Sequence, residues 1–590
     1  RMTTVNGVER CCELTQRTAC RRLTYYYKVT VDNATERSEW QTVKHVLDFT
    51  CTAATEYHVY DRWNDMPEDS YLYSSAFTDC INHQVPQPLK STSFARTLRL
   101  IVRAPQLRDG ERLAVIGAQK ALGEWCPDKA VPMTLHNYCE WAVDIDAEQL
   151  HSEPIELKFV VTNASGHVMM WECSSNRTIT LPDMNKGATV VYTLDQAFFE
   201  IWNRKLAGTL VPVFSLRTKK SAGVGDFGDL KMMIDLMAKT GQRVLQLLPI
   251  NDTTITHTWT DSYPYSCISI FAIHPQYADL RALPELKDKD ARNEAEAERR
   301  RLNALPQIDY EKANAFKLDY LGKVYQQEGK KMMKSAQFKA FFQETQSWLV
   351  PYAQYSWLRN ENGTADFSQW KDHNVWNEAD RALLSDPRTK EYQTVAFFYF
   401  VQYVLSAQMK DAHEYARQKG VILKGDIPIG VNRYSCDVWV EPKYFNLNGQ
   451  AGAPPDDFSV NGQNWGFPTY NWQAMLDDGC QWWNRRFTNM AHYFDAYRID
   501  HVLGFFRIWE IPIHAVRGLL GQFAPALAFT PEEIESYGLH FSTAMLTPVI
   551  TDDMVDALFG DRAESVRHYC LDAVGNGTYT LRADYDTERK

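Results

Sequence analysis

None of the twelve cysteines in this 590-residue sequence lies three positions from another, so no Cys-x-x-Cys pair offers a structural zinc site or a redox centre. HExxH is absent, histidines are not clustered, and there is no GxSxG elbow; the motifs of zinc proteases and of α/β-hydrolase nucleophiles are therefore missing. Net charge is −11 and no Lys/Arg cluster follows a phosphate track, which excludes a nucleic-acid partner. The most apolar stretch, "VAFFYFVQYVL" from Val395, is too short for a bilayer and is interrupted by Gln402, so it predicts no membrane span. The scattered cysteines fit reduced, buried thiols in a cytoplasmic protein rather than a disulfide framework.

Aromatic residues make up 13% of the chain, with 17 Trp and 30 Tyr. Large cores use aromatics. So do sugar sites, where a ring stacks on a flat apolar face and hydrogen-bonds at its rim. The first 200 residues read as short alternating strands between polar turns ("TYYYKVTV", "RTLRLIVRA", "RLAVIGA", "EWAVDID", "IELKFVVT"), the pattern of β-sandwiches. From about residue 205, apolar strand-like runs ("VLQLLPIN", "VILKGDIPIG", "DAYRIDHVLGF") alternate with helical patterns, which predicts parallel α/β. The charged "KDKDARNEAEAERRRL" within the helical region 286–419 reads as a solvated helix face.

The β region repeats itself. Met133 to Lys158 is 25 residues and Met2 to Lys28 is 26; Lys158 to Trp171 is 13 and Lys28 to Trp40 is 12. Two copies of one β-module follow, over 1–88 and 93–198, with the parallel α/β part over 200–590. The first copy lacks a counterpart of residues 94–132, so the chain is expected to begin inside that module. The second copy, on "ALGEW", "LKFVV" and "MMWECSSNRTITLP", resembles the starch-binding domains of carbohydrate-binding module family 20. The resemblance implies a glucan surface formed by Trp125, Lys158 and Trp171, with Glu172 and Asn176 nearby. Lys28 and Trp40 are the corresponding positions of the first copy.

Two candidate sites carry charge. In "GVGDFG", Gly223, Gly225 and Gly228 match a dinucleotide loop, but Asp226 inside it would oppose a phosphate, and no strand feeds it. In "YRIDHVLGFF", Arg498, Asp500 and His501 interrupt an apolar run, and each is costly to bury alone. Period-two alternation puts Arg498 and Asp500 on one face, where a guanidinium favours an ionised carboxylate. Asp426 closes another apolar run just before Pro428. Barrels set reacting groups at such strand ends; an Arg–Asp pair bracing a barrel mouth is the alternative reading.

From about Leu206 the sequence resembles glycoside hydrolase family 77, the 4-α-glucanotransferases. The resemblance rests on "AGTLVPVFSLRTKKSAGVGDFGDL", "LQLLPINDT", "DSYPYSCISIFAIHP", "NGTADFSQW", "KGDIPIGV", "DVWVEPKYF", "GAPPDDFSVNGQNWGFPTYNW" and "YRIDHVLGFFRIWEIP". It implies a (β/α)8 TIM-barrel catalytic domain with helical insertions, incomplete at its C-terminus, behind two starch-binding β-sandwiches, the first incomplete. It further implies Asp500 as nucleophile, Arg498 holding it ionised and His501 on sugar hydroxyls. Asp426 is then a subsite carboxylate, Tyr265 and Trp465 are stacking faces, and Gln463 and Asn464 give hydrogen bonds. Maltose, malto-oligosaccharides and glycogen-like or starch-like glucans are the implied partners, and no cofactor or metal is implied. The family's Glu-Asp-Leu-Gly acid/base motif has no match here, and Glu510 of "WEIP" does not replace it. The expectation is a chain cut at both ends that lacks general acid catalysis by itself, with a non-catalytic glucan-binding protein as the alternative.

Overall fold

The computed structural model describes residues 2–590 except 5–8, 16–19, 33, 84, 152–153, 201–204 and 547–548. The expected boundary near residue 200 falls beside 201–204, partly outside the described residues. The chain divides into two compact units: Arg1–Ala207 with Ala238–Val244 and Ala416–Ile422, and the remainder.

In the first unit two five-stranded sheets form a sandwich. One has the order Val131–Pro132, Arg112–Gly117, Ile155–Thr162, Val168–Trp171, with Arg177–Ile179 also paired to Ile155–Thr162. The other has the order Thr134–Asn137, Glu140–Asp146, Thr97–Arg103, Ala188–Thr193, Glu56–Tyr60. Strand Ile155–Thr162 shows why the sequence folds this way: Ile155, Leu157, Phe159 and Val161 enter the core with Leu98, Leu100 and Val102, while Glu156 and Lys158 alternate outward.

The far face of the second sheet is also covered. Ile101, Ala142 and Val191 pack against Leu47, with Tyr25, Phe49 and Tyr57 around them. Arg99 lies fully buried on that face, directly opposite Asp144 in register, and donates to it from Nε at 2.6 Å and Nη2 at 2.9 Å. Its other donors reach the Asp48 carbonyl and Thr50 Oγ1, so the buried charge is fully partnered. Segment 20–60 therefore lies on the 97–193 sandwich as paired strands Arg22–Tyr25/His45–Asp48 and Lys28–Val31/Ala34–Ser38, and adds Glu56–Tyr60 to its sheet in parallel with Ala188–Thr193.

Strands Gly208–Val211, Val244–Leu247, Ile422–Ile427 and Ala496–Ile499, all of the second unit except Val244 and Ile422, form one sheet in chain order. Helix Phe227–Lys239 links the first two, a helical region from Lys289 to Gln418 links the second and third, and shorter helices within Cys436–Met490 link the third and fourth. The last two strands pair in parallel, as the alternation of strands and helices predicts. The charged run is a solvated helix, Lys289–Asn303, capped by Asp288 and laced by Glu296–Arg299, Glu296–Arg300 and Glu298–Arg301 pairs. A second, antiparallel sheet orders Gln463–Asn464, Gly449–Ala453, Ile508–Pro512 and Gln522–Ala524. No two cysteines are joined by a disulfide, and no described helix is long and apolar enough to cross a membrane.

Candidate active site and glucan-binding face

Parallel register sets Asp426 directly beside Arg498 at the ends of neighbouring strands. Gly425, just before Asp426, has the Phe494 ring 2.7 Å from where a Cβ would stand, so the strand accepts only glycine there. Asp500 follows strand Ala496–Ile499 by one residue, its amide donating to the Ile427 carbonyl at 3.1 Å. Arg498 Nη1 donates to both Asp426 oxygens, at 2.9 and 2.7 Å, while Nη2 donates to Asp500 Oδ1 at 2.8 Å. The Tyr265 hydroxyl donates to Asp426 Oδ2 at 2.7 Å. One guanidinium thus orients two carboxylates.

Their environments differ. The Asp426 side chain is fully buried and that of Asp500 is 26% exposed. Burial pushes the Asp426 carboxyl above its ordinary value, and Tyr265 and Arg498 offset this only in part. Burial pulls the Arg498 guanidinium down, but the charge and hydrogen bonds of Asp426 carry it above its usual value. Burial also lowers the His501 imidazole, with Asp500 opposing, so His501 is neutral at neutral pH and can both donate and accept hydrogen bonds.

His501 has a left-handed backbone, φ 47°, that turns the chain just past Asp500. Its ring meets Trp465 edge-on at 4.9 Å, and Trp465 stacks on Phe467 at 5.9 Å. Gln463 Oε1 accepts from Trp465 Nε1 at 3.1 Å, while Asn464 is held by the Val516 carbonyl and the Gly466 amide. Two contributors escaped the sequence reading. Phe467 backs Trp465, and the half-exposed Tyr263 ring lies 5.6 Å from Tyr265; the i, i+2 spacing in "YPY" was the available signal. Glu510 shares a hydrogen bond with Thr469 and is packed against Gly449.

The dinucleotide-like loop is occupied by its own carboxylate. Asp226 Oδ1 accepts from the Gly228 and Asp229 amides, filling the helix N-terminus a phosphate would need, and Lys317 and Arg281 close over it.

On the 97–193 sandwich, Lys158 lies opposite Ile116, and Val160 lies opposite both Ala114 and Trp171, so Lys158 and Trp171 share the outer face. Trp125 packs on Ala114, Ile116 and Val160 and therefore joins them. It is presented by three successive left-handed residues, Gly123, Glu124 and Trp125, at φ 82°, 51° and 59°, a backbone that an aromatic residue adopts only under constraint. Trp171 is 40% exposed and Asn176 is exposed. Glu172 is turned inward instead: its buried carboxylate accepts from Arg177 and from the Phe159 amide. Lys28 is exposed, whereas Trp40 packs edge-on against Tyr73 beside Val43 and Cys139. The structure thus gathers Trp125, Lys158 and Trp171 on one face and leaves Glu172 beneath it.

The arrangement so far consists of strand-end carboxylates on one arginine with aromatic faces beside them, and of a β-sandwich with two Trp on its outer face. Comparison with known proteins gives it a family. Residues 211–562 match the 4-alpha-glucanotransferase family and residues 97–191 match the starch binding domain; the chain belongs to the 4-alpha-glucanotransferase family, a starch-binding domain preceding a catalytic domain of the TIM-barrel glycoside hydrolase type. It is 38% identical over 543 residues to 4-alpha-glucanotransferase DPE2 of Oryza sativa subsp. japonica, covering 90% of this chain and 57% of the rice protein. It is 33% identical over 315 residues to a 4-alpha-glucanotransferase of Chlamydia muridarum, covering 52% of this chain and 58% of that protein. The chain thus spans under three fifths of the length of each of these relatives. A solved amylomaltase from Streptococcus agalactiae, in complex with acarbose, aligns at 25% identity and a TM-score of 0.49, covering 57% of this chain and 68% of that one.

Proposed function

We propose that the chain transfers glucosyl units from maltose or malto-oligosaccharides to glucan acceptors by a retaining double displacement. Asp500 is the nucleophile: it attacks the anomeric carbon as the glycosidic C–O bond breaks and holds the sugar as a glycosyl-enzyme until an acceptor hydroxyl displaces it, while the acid/base that protonates the leaving oxygen and deprotonates the acceptor is none of the residues named here. Arg498 keeps it oriented, His501 hydrogen-bonds sugar hydroxyls, and Asp426 and Tyr265 form the wall of the same subsite. Trp465 supplies a stacking face, with Gln463 and Asn464 at its rim. The observation that carries this reading is the single guanidinium that holds Asp426 and Asp500 at the ends of adjacent parallel strands. Of the two carboxylates on this arginine, Asp426 is fully buried and Asp500 is 26% exposed, which leaves Asp500 the one a substrate can reach.

Residues 93–198 are the starch-binding domain of this reading, using Trp125, Lys158, Trp171 and Asn176 to hold glycogen-like or starch-like glucans. Residues 1–88 are a second β-module of the same ancestry, supported by the Lys28/Trp40 repeat, and residues 200–590 form the catalytic barrel. No cofactor is required, and a cytoplasmic location is supported by twelve cysteines without a disulfide.

A non-catalytic glucan-binding protein is the second reading. One observation favours it: the hydrogen-bonded group around Asp500 contains one other carboxylate, Asp426, which Arg498 and Tyr265 already occupy. The decisive experiment incubates the chain with maltose and glycogen and chromatographs the products. Glucose release matched by glucosyl gain in glycogen, lost on the order of 10³-fold or more in Asp500→Asn with glycogen binding retained, supports transfer. Retardation on a glycogen gel with no turnover supports the binding protein.

A further inference from the structure

The strand that carries Asp426 ends at Ile427 and the chain runs on to Gly430. Each carbonyl of residues 427–430 is taken by a donor from a different part of the second unit. The Ile427 carbonyl accepts from the Asp500 amide at 3.1 Å, and the Pro428 carbonyl accepts from Arg486 Nη2 at 2.8 Å. The Ile429 carbonyl accepts from the Tyr470 hydroxyl at 2.6 Å, and the Gly430 carbonyl from Cys267 Sγ at 3.8 Å. The Phe467 ring lies where a Cβ on Gly430 would stand, and the same ring backs Trp465. The segment therefore meets the nucleophile at one end and the stacking face at the other.

Arg486 is the member whose presence the packing alone does not explain. It projects from helix Gln481–Met490 and is 1% exposed. Among the described residues no carboxylate forms an ion pair with it; its guanidinium lies against the Trp482 and Trp483 rings, 5.5 and 5.0 Å from their centroids. Burying a guanidinium without a paired carboxylate is costly, and an apolar side chain of similar length would fill the space without that cost. What the charge adds is a directed, charge-assisted hydrogen bond, steadied by two indole faces. Proline has no N–H, so the carbonyl is the one backbone group by which Pro428 can be gripped.

We propose that Arg486 is a positioning residue for glycosyl transfer: it fixes the Pro428 carbonyl, and with it the neighbouring Ile427 carbonyl that holds the Asp500 amide. Arg498 orients the carboxylate end of Asp500; Arg486 fixes its backbone end from a place no sugar reaches. The inference rests on the reading of Asp500 as nucleophile. Misplacing a reacting group by about 1 Å costs on the order of 10²-fold in rate.

Trapping the glycosyl-enzyme on the full chain tests this without a general acid, because fluoride leaves unprotonated. With 5-fluoro-α-D-glucopyranosyl fluoride, an Asp500 oxygen attacks the anomeric carbon and the C–F bond breaks, its electron pair leaving on fluoride. The ring fluorine slows release of the adduct, so intact mass counts it. Saturating rate, half-saturating concentration and final labelled fraction are read separately. Arg486→Met is expected to lower the saturating rate about 10- to 100-fold, with half-saturation within about threefold of wild type. Arg486→Lys keeps one charged donor and should recover part of the rate. Tyr470→Phe removes only the Ile429 donor and should show a smaller fall of the same kind. A merely structural Arg486 lowers the labelled fraction, since only folded molecules react, and leaves their rate unchanged; that result overturns the proposal. If Arg486→Met does not fold, wild-type rates in both Arg486→Lys and Tyr470→Phe overturn it instead. No adduct on the wild-type chain, as on Asp500→Asn, overturns the nucleophile reading and this inference with it.

Discussion

Replacing Arg498 by Met removes the one cation between Asp426 and Asp500, and the cost is expected to depend on pH. The guanidinium gives Asp426 two hydrogen bonds and Asp500 one; hydrogen bonds to charged groups contribute about 1.5–3 kcal/mol each, without additivity. Stripping one partner from a fully buried ion pair costs about 3–5 kcal/mol. Arg498 is 40% exposed, so water takes over part of its role and the expected loss at pH 8 is about 2–3 kcal/mol. The sign follows from Asp426. Its folded-state pKa is already raised from 3.8 by burial, and losing Arg498 raises it further. The penalty is absent below the ordinary carboxylate value, where the group is protonated in both states. It grows as pH rises and is complete above the new folded value. Urea unfolding followed by tryptophan fluorescence should therefore show Arg498→Met destabilised by at least 1.4 kcal/mol more at pH 8 than at pH 4.5, a factor of about ten in the unfolding constant. Arg498→Lys keeps the charge without the fork and should fall between. Equal losses at both pH values, or a loss under 0.5 kcal/mol at pH 8, would refute the reasoning.

Trp171→Ala should weaken retardation on a glycogen affinity gel by about tenfold, the usual effect of removing one aromatic anchor, while circular dichroism stays unchanged because the ring is 40% exposed. His45 is held between Glu39 and Asp61 beneath Tyr25 and Tyr27; burial lowers its pKa, but those carboxylates raise it to about 9. Its contribution is therefore full below pH 6.5 and lost as pH rises through 9, and His45→Gln should flatten the alkaline limb of the stability profile measured by urea titration. Lys317 is fully buried and donates to the Gln276 and Ala278 carbonyls and to Asp226. Lys317→Met should cost about 1–3 kcal/mol in urea unfolding, since it leaves the buried Gln276 and Ala278 carbonyls without their donor while Arg281 stays on Asp226 at 2.7 Å.

Much of this was legible in the sequence because it rests on short-range pattern. Alternation in "IELKFVVT" gave the buried and exposed faces of its strand, and alternation in "YRID" put Arg498 and Asp500 together. The same rule turns Glu172 inward once Trp171 points out, with Arg177 five residues on to receive it; its place beside the binding residues came from the motif, and period two would have corrected it. What sequence could not supply was register across distance. Asp426 and Arg498 are 72 residues apart, and nothing local says that they face each other. Trp125 shares a face with Lys158 only because Gly123, Glu124 and Trp125 are left-handed in succession, a conformation two of those residues disfavour. Nor does "EYHVY" announce that it will pair with residues 188–193.

That last strand has a consequence for modularity. Starch-binding modules are usually pictured as detachable beads, but Glu56–Tyr60 is the outermost rung of the sheet that contains Ala188–Thr193. Cutting the chain between residues 60 and 97 would strip the row of backbone donors and acceptors along 188–193 and uncover the Ile101–Ala142–Val191 surface that Leu47 covers. A bare, apolar-backed edge of this kind recruits any other strand within reach. Swapping this module into another protein would therefore require taking residues 20–60 along with it; excised at its sequence boundary, it should aggregate.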